Sequence, residues 1–243
     1  MAVNVYRILW RSNLLSGLSL AEIFANGIVL LIAMTVHEFA HNYVGWRMGD
    51  PEPARAGRLT LNPFVHINWI GWLMFVIVGF GILGSAPISP YRMRADNRRW
   101  RWLAAVAAGP LINLVLAIIT ALILRLLTVE VIETLPPMLQ LILFQMVVLN
   151  LLLFIFNLLP LFPIDGWQIV LSLLPPSLAS VWQRHAQTTQ YILLGLILLS
   201  FVRIPGFNPL GILISQPLNQ LIIALFDFPL LFQYSSVISA FGR

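Results

Sequence analysis

The sequence predicts an all-α polytopic membrane protein, and three observations carry that prediction. Hydrophobic residues make up 59% of the 243 and charged residues only 9%, with a mean hydropathy of +0.89; an ordinary soluble domain has about 25% charged residues. Apolar runs of about 20 residues, each enough to cross about 30 Å of hydrocarbon, use most of the chain. All 14 basic residues are Arg, and they cluster between the apolar runs, as positive charge does in loops that face the cytoplasm. The formal charge of +5 therefore reads as contact with the lipid bilayer. No basic stripe interleaved with aromatics points to nucleic acid. Cysteine is absent, which excludes disulfides, thiolate nucleophiles and Cys-ligated metals.

Residues 1–18 place Arg7 and Arg11 among Val5, Tyr6, Ile8, Leu9 and Trp10, the pattern of a short interfacial amphipathic helix rather than a signal peptide. A first long helix is expected from Leu20 to Trp46, stopped by Gly49, Asp50, Pro51, Glu52 and Pro53. The next apolar stretch, Ile67 to Leu83, contains Gly71, Gly79 and Gly81 and is followed by Pro87 and Pro90. It reads as a loose helix in a re-entrant or partly extended hairpin. Clean helices follow at about Trp102–Leu127 and Leu139–Leu158, then a broken stretch from Pro160 to Leu174. Two more are expected at about Thr188–Val202 and Leu210–Phe232. The sum is about five to six transmembrane segments in one integral-membrane domain over residues 1–243.

Within the first helix, His37, Glu38, Phe39, Ala40 and His41 form an H-E-x-x-H motif. Residues four apart project from one helix face, so both imidazoles can hold one metal ion, and Glu38 stands beside the first as a general base. In a soluble helix such a trio is commonly just solvated. Here residues 28–36 are apolar apart from Thr35, and an ionisable residue at that depth costs about 2.5–3.5 kcal/mol on insertion scales. Three together need a shared reason, which a dication supplies. A third ligand must come from elsewhere, and Asp165 is the best candidate, because Pro160 and Pro163 open the backbone ahead of it at membrane depth. An N-cap role for Asp165 on a helix from Trp167 to Leu174 explains the same residues equally well.

His37 to His41, followed far downstream by Asn157, Pro160, Pro163, Asp165 and Gly166 in N-x-x-P-x-x-P-x-D-G spacing, resembles the site-2 protease family of intramembrane zinc metalloproteases. The likeness extends to Gly57, Arg58, Leu59, Thr60, Leu61, Asn62, Pro63 and His66, and to Gly109, Pro110, Leu111, Ile112 and Asn113. It covers about residues 33–174, which would be the catalytic core, with 188–232 as C-terminal membrane helices. The resemblance implies that His37, His41 and Asp165 hold one Zn2+ per chain, that Glu38 is the general base, and that Asn157 faces the cleft. Ile164 stands where Leu is usual, and no PDZ-like or CBS-like segment is expected.

For Asp165 to reach the depth of the histidines, residues 67–98 must leave and return on one side of the membrane. That path puts ten of the fourteen Arg on the side nearer the histidines, so the site is expected nearer the cytoplasm of a prokaryotic plasma membrane. Asn113 and Asn157 sit in apolar helices and are expected to line the cleft, binding the scissile carbonyl or the substrate backbone. His66, among Asn62, Pro63 and Asn68, is expected to be structural or to support the ligands. The expected activity is hydrolysis of a peptide bond in or near a transmembrane segment of a membrane-protein substrate. A metal- or proton-coupled transporter and an inactive family member retained as a binding scaffold are the alternatives, and Glu38 weighs against both.

Overall fold

The computed structural model describes residues 19–78, 81–127, 129–202 and 208–225. The interfacial segment expected at 1–18 and the end of the last expected helix lie outside these. Apart from one isolated β-bridge, the described residues are helix, turn and extended connection, as an all-α membrane protein requires.

Helix α1 runs from Leu20 to Arg47. Ser19 starts it with a capping box: its Oγ accepts from the Glu22 N–H at 3.2 Å, and the Glu22 carboxylate accepts from the Ser19 N–H at 2.7 Å. Such a cap is worth about 1 kcal/mol and accounts for the buried Glu22. Two stripes of spacing four divide the helix. Ala25, Val29, Ala33, His37 and His41 are buried, whereas Leu20, Phe24, Ile28 and Ile32 are exposed and apolar. A helix with an apolar outer face and polar groups turned inward is arranged for lipid, not water.

After the short helix α2 (Glu52–Arg55) and a 3-10 turn at Pro63–Val65 comes α3, Trp69–Val78. Ten residues rise about 15 Å, half the hydrocarbon thickness. The chain then returns in extended form: Ile67 and Gly84 form an antiparallel bridge, and the Asn68 N–H donates to the Leu83 carbonyl at 3.0 Å. The two limbs touch where Gly71 meets Ile82 and Gly81 meets Gly71, at distances where no Cβ fits. The expected loose helix is thus a half-helix with an extended return, and its ends meet, as in a re-entrant hairpin.

Helix α4 spans Arg98–Leu126, starting four residues earlier than expected, behind Asn97 in a left-handed conformation. Its buried stripe Ala105, Gly109, Asn113, Ala117 and Ala121 also has spacing four. Small residues let it approach α1 closely. A short α5 (Val129–Thr134) leads to α6, Pro137–Asn157, and α1, α4 and α6 pack mutually. Helix α7, Asp165–Leu173, packs on α4, where Arg99 donates to the Ser172 and Leu173 carbonyls. The helices α8 (Pro176–Arg184), α9 (Ala186–Phe201) and α10 (Pro209–Leu225) complete the described chain. Leu193, Ile197, Leu210, Ile214, Leu218 and Ile222 of α9 and α10 join Val147, Val148 and Leu151 of α6 in the main core. Among the described residues α1, α4 and α6 are long and apolar enough to cross a membrane, and α9 and α10 are shorter apolar helices. Helices α5 and α8 had no counterpart in the sequence reading. Trp167 is buried against Phe162 and Trp182.

Candidate metal centre

Three donor atoms from two distant segments meet at one point. Nε2 of His37 and Nε2 of His41 are 3.0 Å apart, and Oδ2 of Asp165 lies 3.2 Å from each. The two imidazoles are 3–4% exposed and stand edge to face at 84°. Asp165 is the first residue of α7, the end of a helix at which negative charge is favourable. Its N-cap neighbour Ile164 makes no side-chain cap bond, and the Asp165 carboxylate turns to the histidines instead of capping the helix. The tight turn ahead of it depends on Gly166, where a Cβ would run into the carbonyls of Leu158 and Leu159.

The outer hydrogen bonds decide what each ring offers. Nδ1 of His41 lies 2.8 Å from the carbonyl of Ala105, which can only accept. Nδ1 of His37 lies 2.6 Å from Oδ1 of Asn113. The orientation of that amide follows from its other partners: Asn113 Nδ2 donates to Asn150 Oδ1 at 2.8 Å and to the Ala33 carbonyl at 3.3 Å, while Asn150 Nδ2 donates to the Met146 carbonyl at 2.7 Å. Both rings therefore carry hydrogen on Nδ1, and in the neutral form both Nε2 present lone pairs to the same gap. Two lone pairs and a carboxylate oxygen within 3.2 Å repel one another unless a cation lies between them. Donors bound at about 2.0–2.1 Å to a tetrahedral ion stand about 3.3–3.4 Å apart, close to the spacing here, so the three residues could hold one metal ion.

A cavity of about 340 Å3 opens beside these donors and is lined by His37, Glu38, His41, Asn157 and Asp165, with Gly84 and Ser85 from the hairpin's extended return. Glu38 is 5% exposed, and its Oε2 has no hydrogen-bond partner. Two glycines keep the space clear. A Cβ at Gly109 would collide with His41 Nε2 and lie 2.8 Å from His37 Cε1, and one at Gly84 would lie 2.5 Å from Glu38 Oε1.

The other residues singled out from sequence divide. Asn157 is half-buried, lines the cavity and donates to the Leu153 carbonyl at 2.9 Å. Asn113 was expected on the cleft but is fully buried, with its Oδ1 against His37 Nδ1 on the side of the ring away from the shared gap. His66 is 2% exposed, with Nε2 at 2.8 Å from the Thr60 carbonyl. Asn150 was missed, although an amide in an apolar helix seven residues before Asn157 was a usable signal.

Asp50, just past α1, figured in the sequence only as part of the stretch that stops the first helix. It is fully buried and accepts from Arg92 Nε at 2.8 Å, Arg92 Nη2 at 3.0 Å, the Ser89 N–H at 2.8 Å and the Glu52 N–H at 3.0 Å. Burial works against its charge, but the Arg92 and backbone bonds outweigh it and hold the carboxyl below its ordinary value. The extended limb is thereby tied to the end of α1.

The chain is 38% identical over 152 residues to "Putative zinc metalloprotease YwhC" of Bacillus subtilis, a stretch that is 61% of this chain and 68% of that relative. It is 30% identical over 175 residues to "Putative zinc metalloprotease Rip2" of Mycobacterium tuberculosis, 70% of this chain and 63% of the relative. To the protein of the same name from Mycolicibacterium smegmatis it is 32% identical over 95 residues, 37% and 35% of the two. The chain thus spans about two thirds of the length of the first two. No family model and no solved structure matches it.

Proposed function

The chain belongs to the family of zinc metalloproteases that includes YwhC, and from that premise we propose that it is an intramembrane endopeptidase of the site-2 type. Its substrate is a membrane protein, cut at a peptide bond in or beside a transmembrane segment. The observation that carries this reading is the convergence of His37, His41 and Asp165, with two Nε2 lone pairs aimed at one gap, beside the buried Glu38 carboxylate in the same cavity.

Two imidazoles and a carboxylate are a donor set that suits zinc and leaves a fourth position free. Bound there, zinc would supply a Lewis acid that polarises the scissile carbonyl and makes water more acidic. The protein's own groups do the rest. Glu38 accepts the proton of the attacking water and delivers it to the nitrogen of the leaving amine. Asn157, at the cavity wall, donates its amide to the oxygen that gains charge or to the substrate backbone. An intact helix keeps its carbonyls in its own hydrogen bonds, so the substrate must unwind locally. The extended limb from Ile82 to Ser89, part of which lines the cavity, provides an edge that an unwound strand can pair with. The returning hairpin and the ten Arg assigned to one side support a site nearer the cytoplasm.

The test is cleavage of a reconstituted transmembrane substrate by the purified protein. Glu38→Gln should abolish cleavage while keeping zinc, since the amide cannot take the proton. Undiminished cleavage by that variant would exclude the mechanism.

A further inference from the structure

A second, much smaller recess lies between α1, the Pro63–Val65 turn and the hairpin. It offers about 10 Å3 to a water-sized sphere, room for about one water molecule. Three of the side chains lining it each carry a buried polar atom with no hydrogen-bond partner: Glu38 Oε2, His66 Nδ1 and Trp72 Nε1. Glu38 and His66 are 5% and 2% exposed, so bulk water satisfies neither. The three are chemically complementary. Because His66 Nε2 faces the Thr60 carbonyl at 2.8 Å, it carries the hydrogen, and Nδ1 of the neutral ring presents a lone pair. The Glu38 carboxylate also accepts, and the Trp72 indole can only donate. A single water molecule bonded to all three would give a hydrogen to each acceptor and take the indole N–H, the roughly three bonds usual for a buried water.

We infer that a single buried water links Glu38 to His66 and Trp72, and that these two side chains are positioning residues for the general base. Held at Oε2, the carboxylate is kept from turning about its last torsion and leaves Oε1 to take the proton in the reaction. The inference rests on the role proposed for Glu38, and it gives His66, in the interfacial turn after the first helix, a task besides bonding Thr60.

Two substitutions of His66 separate the tasks. His66→Gln keeps a donor for Thr60 and removes the acceptor from the recess; His66→Asn keeps an acceptor near Nδ1 and gives up the Thr60 bond. The expected result is a fall in kcat of about tenfold or more for His66→Gln, with KM and zinc content unchanged, while His66→Asn keeps most of its activity. Trp72→Phe should fall in the same direction as His66→Gln. Wild-type kcat in His66→Gln, or greater damage in His66→Asn than in His66→Gln, overturns the inference. If neither variant folds, a wild-type structure that shows ordered water decides: density bonded to all three atoms supports the link, and a recess without it overturns it. Glu38→Gln is assayed alongside. Normal cleavage by that variant removes the general-base role itself, whereas a dead Glu38→Gln beside a fully active His66→Gln removes only the water link.

Discussion

Asn150 accepts a hydrogen bond from Asn113 at 2.8 Å, and that bond decides which atom of Asn113 faces His37. With Nδ2 turned to Asn150 and to the Ala33 carbonyl, Oδ1 is left for His37 Nδ1, and the ring's other nitrogen is free of hydrogen. Asn150→Leu should let the Asn113 amide turn over and weaken zinc binding by about 10- to 100-fold, the usual effect of losing such a support. Competition with a chelator of known zinc affinity measures it. Unchanged affinity would show that the amide pair does not set the ring's tautomer.

Two glycines make predictions that agree about rate and differ about metal. Gly109→Ala drives a methyl into the His41 ring, so the folded variant should lose both zinc and cleavage. Gly84→Ala puts a methyl about on top of Glu38 Oε1, at 2.5 Å, so it should keep zinc and lose kcat. Metal analysis beside a cleavage assay separates them; zinc retained in Gly109→Ala would mean that α1 and α4 can part without cost to the site.

His37, Glu38 and His41 were legible because spacing four within an apolar helix fixes a shared face and depth. Asp165 was legible as a residue but ambiguous as a group, since a helix start explains an aspartate as well as a metal does; the turn of its carboxylate toward the two histidines is a tertiary fact. Sequence spacing states where a residue stands on its own helix and says nothing of which helix it meets. That is why Asn113 was expected on the cleft, why its pairing with Asn150 across two helices went unread, and why His66 was not connected with Glu38. The return limb from Gly81 was foreseen in outline from its glycines and prolines, but its bridge to Ile67 and its tie to Asp50 are matters of tertiary contact.

Asp50 supplies a prediction in pH. Its folded carboxyl is held below the ordinary value, so its contribution to stability is fully present above the unfolded value of about 3.9 and is lost as pH falls through the lower folded one. Bonds from a charged donor are worth about 1.5–3 kcal/mol each, and the half-open Arg92, 40% exposed, places the net effect toward the low end. Asp50→Asn should therefore lower the melting temperature at pH 7 and narrow its gap from the wild type on acidification. Because the extended limb is released, KM for substrate should rise as well. A gap that stays constant with pH would remove the carboxylate's charge from the explanation.

The most direct measurement is zinc per chain in purified wild type and in Asp165→Ala, prepared identically and dialysed against a weak chelator. About one zinc in the wild type and a clear loss in the variant is the expected result, because the histidine pair alone leaves the ion short of a donor. A full complement of zinc in Asp165→Ala, with cleavage intact, would contradict the assignment of Asp165 as the third ligand and with it the account of the site.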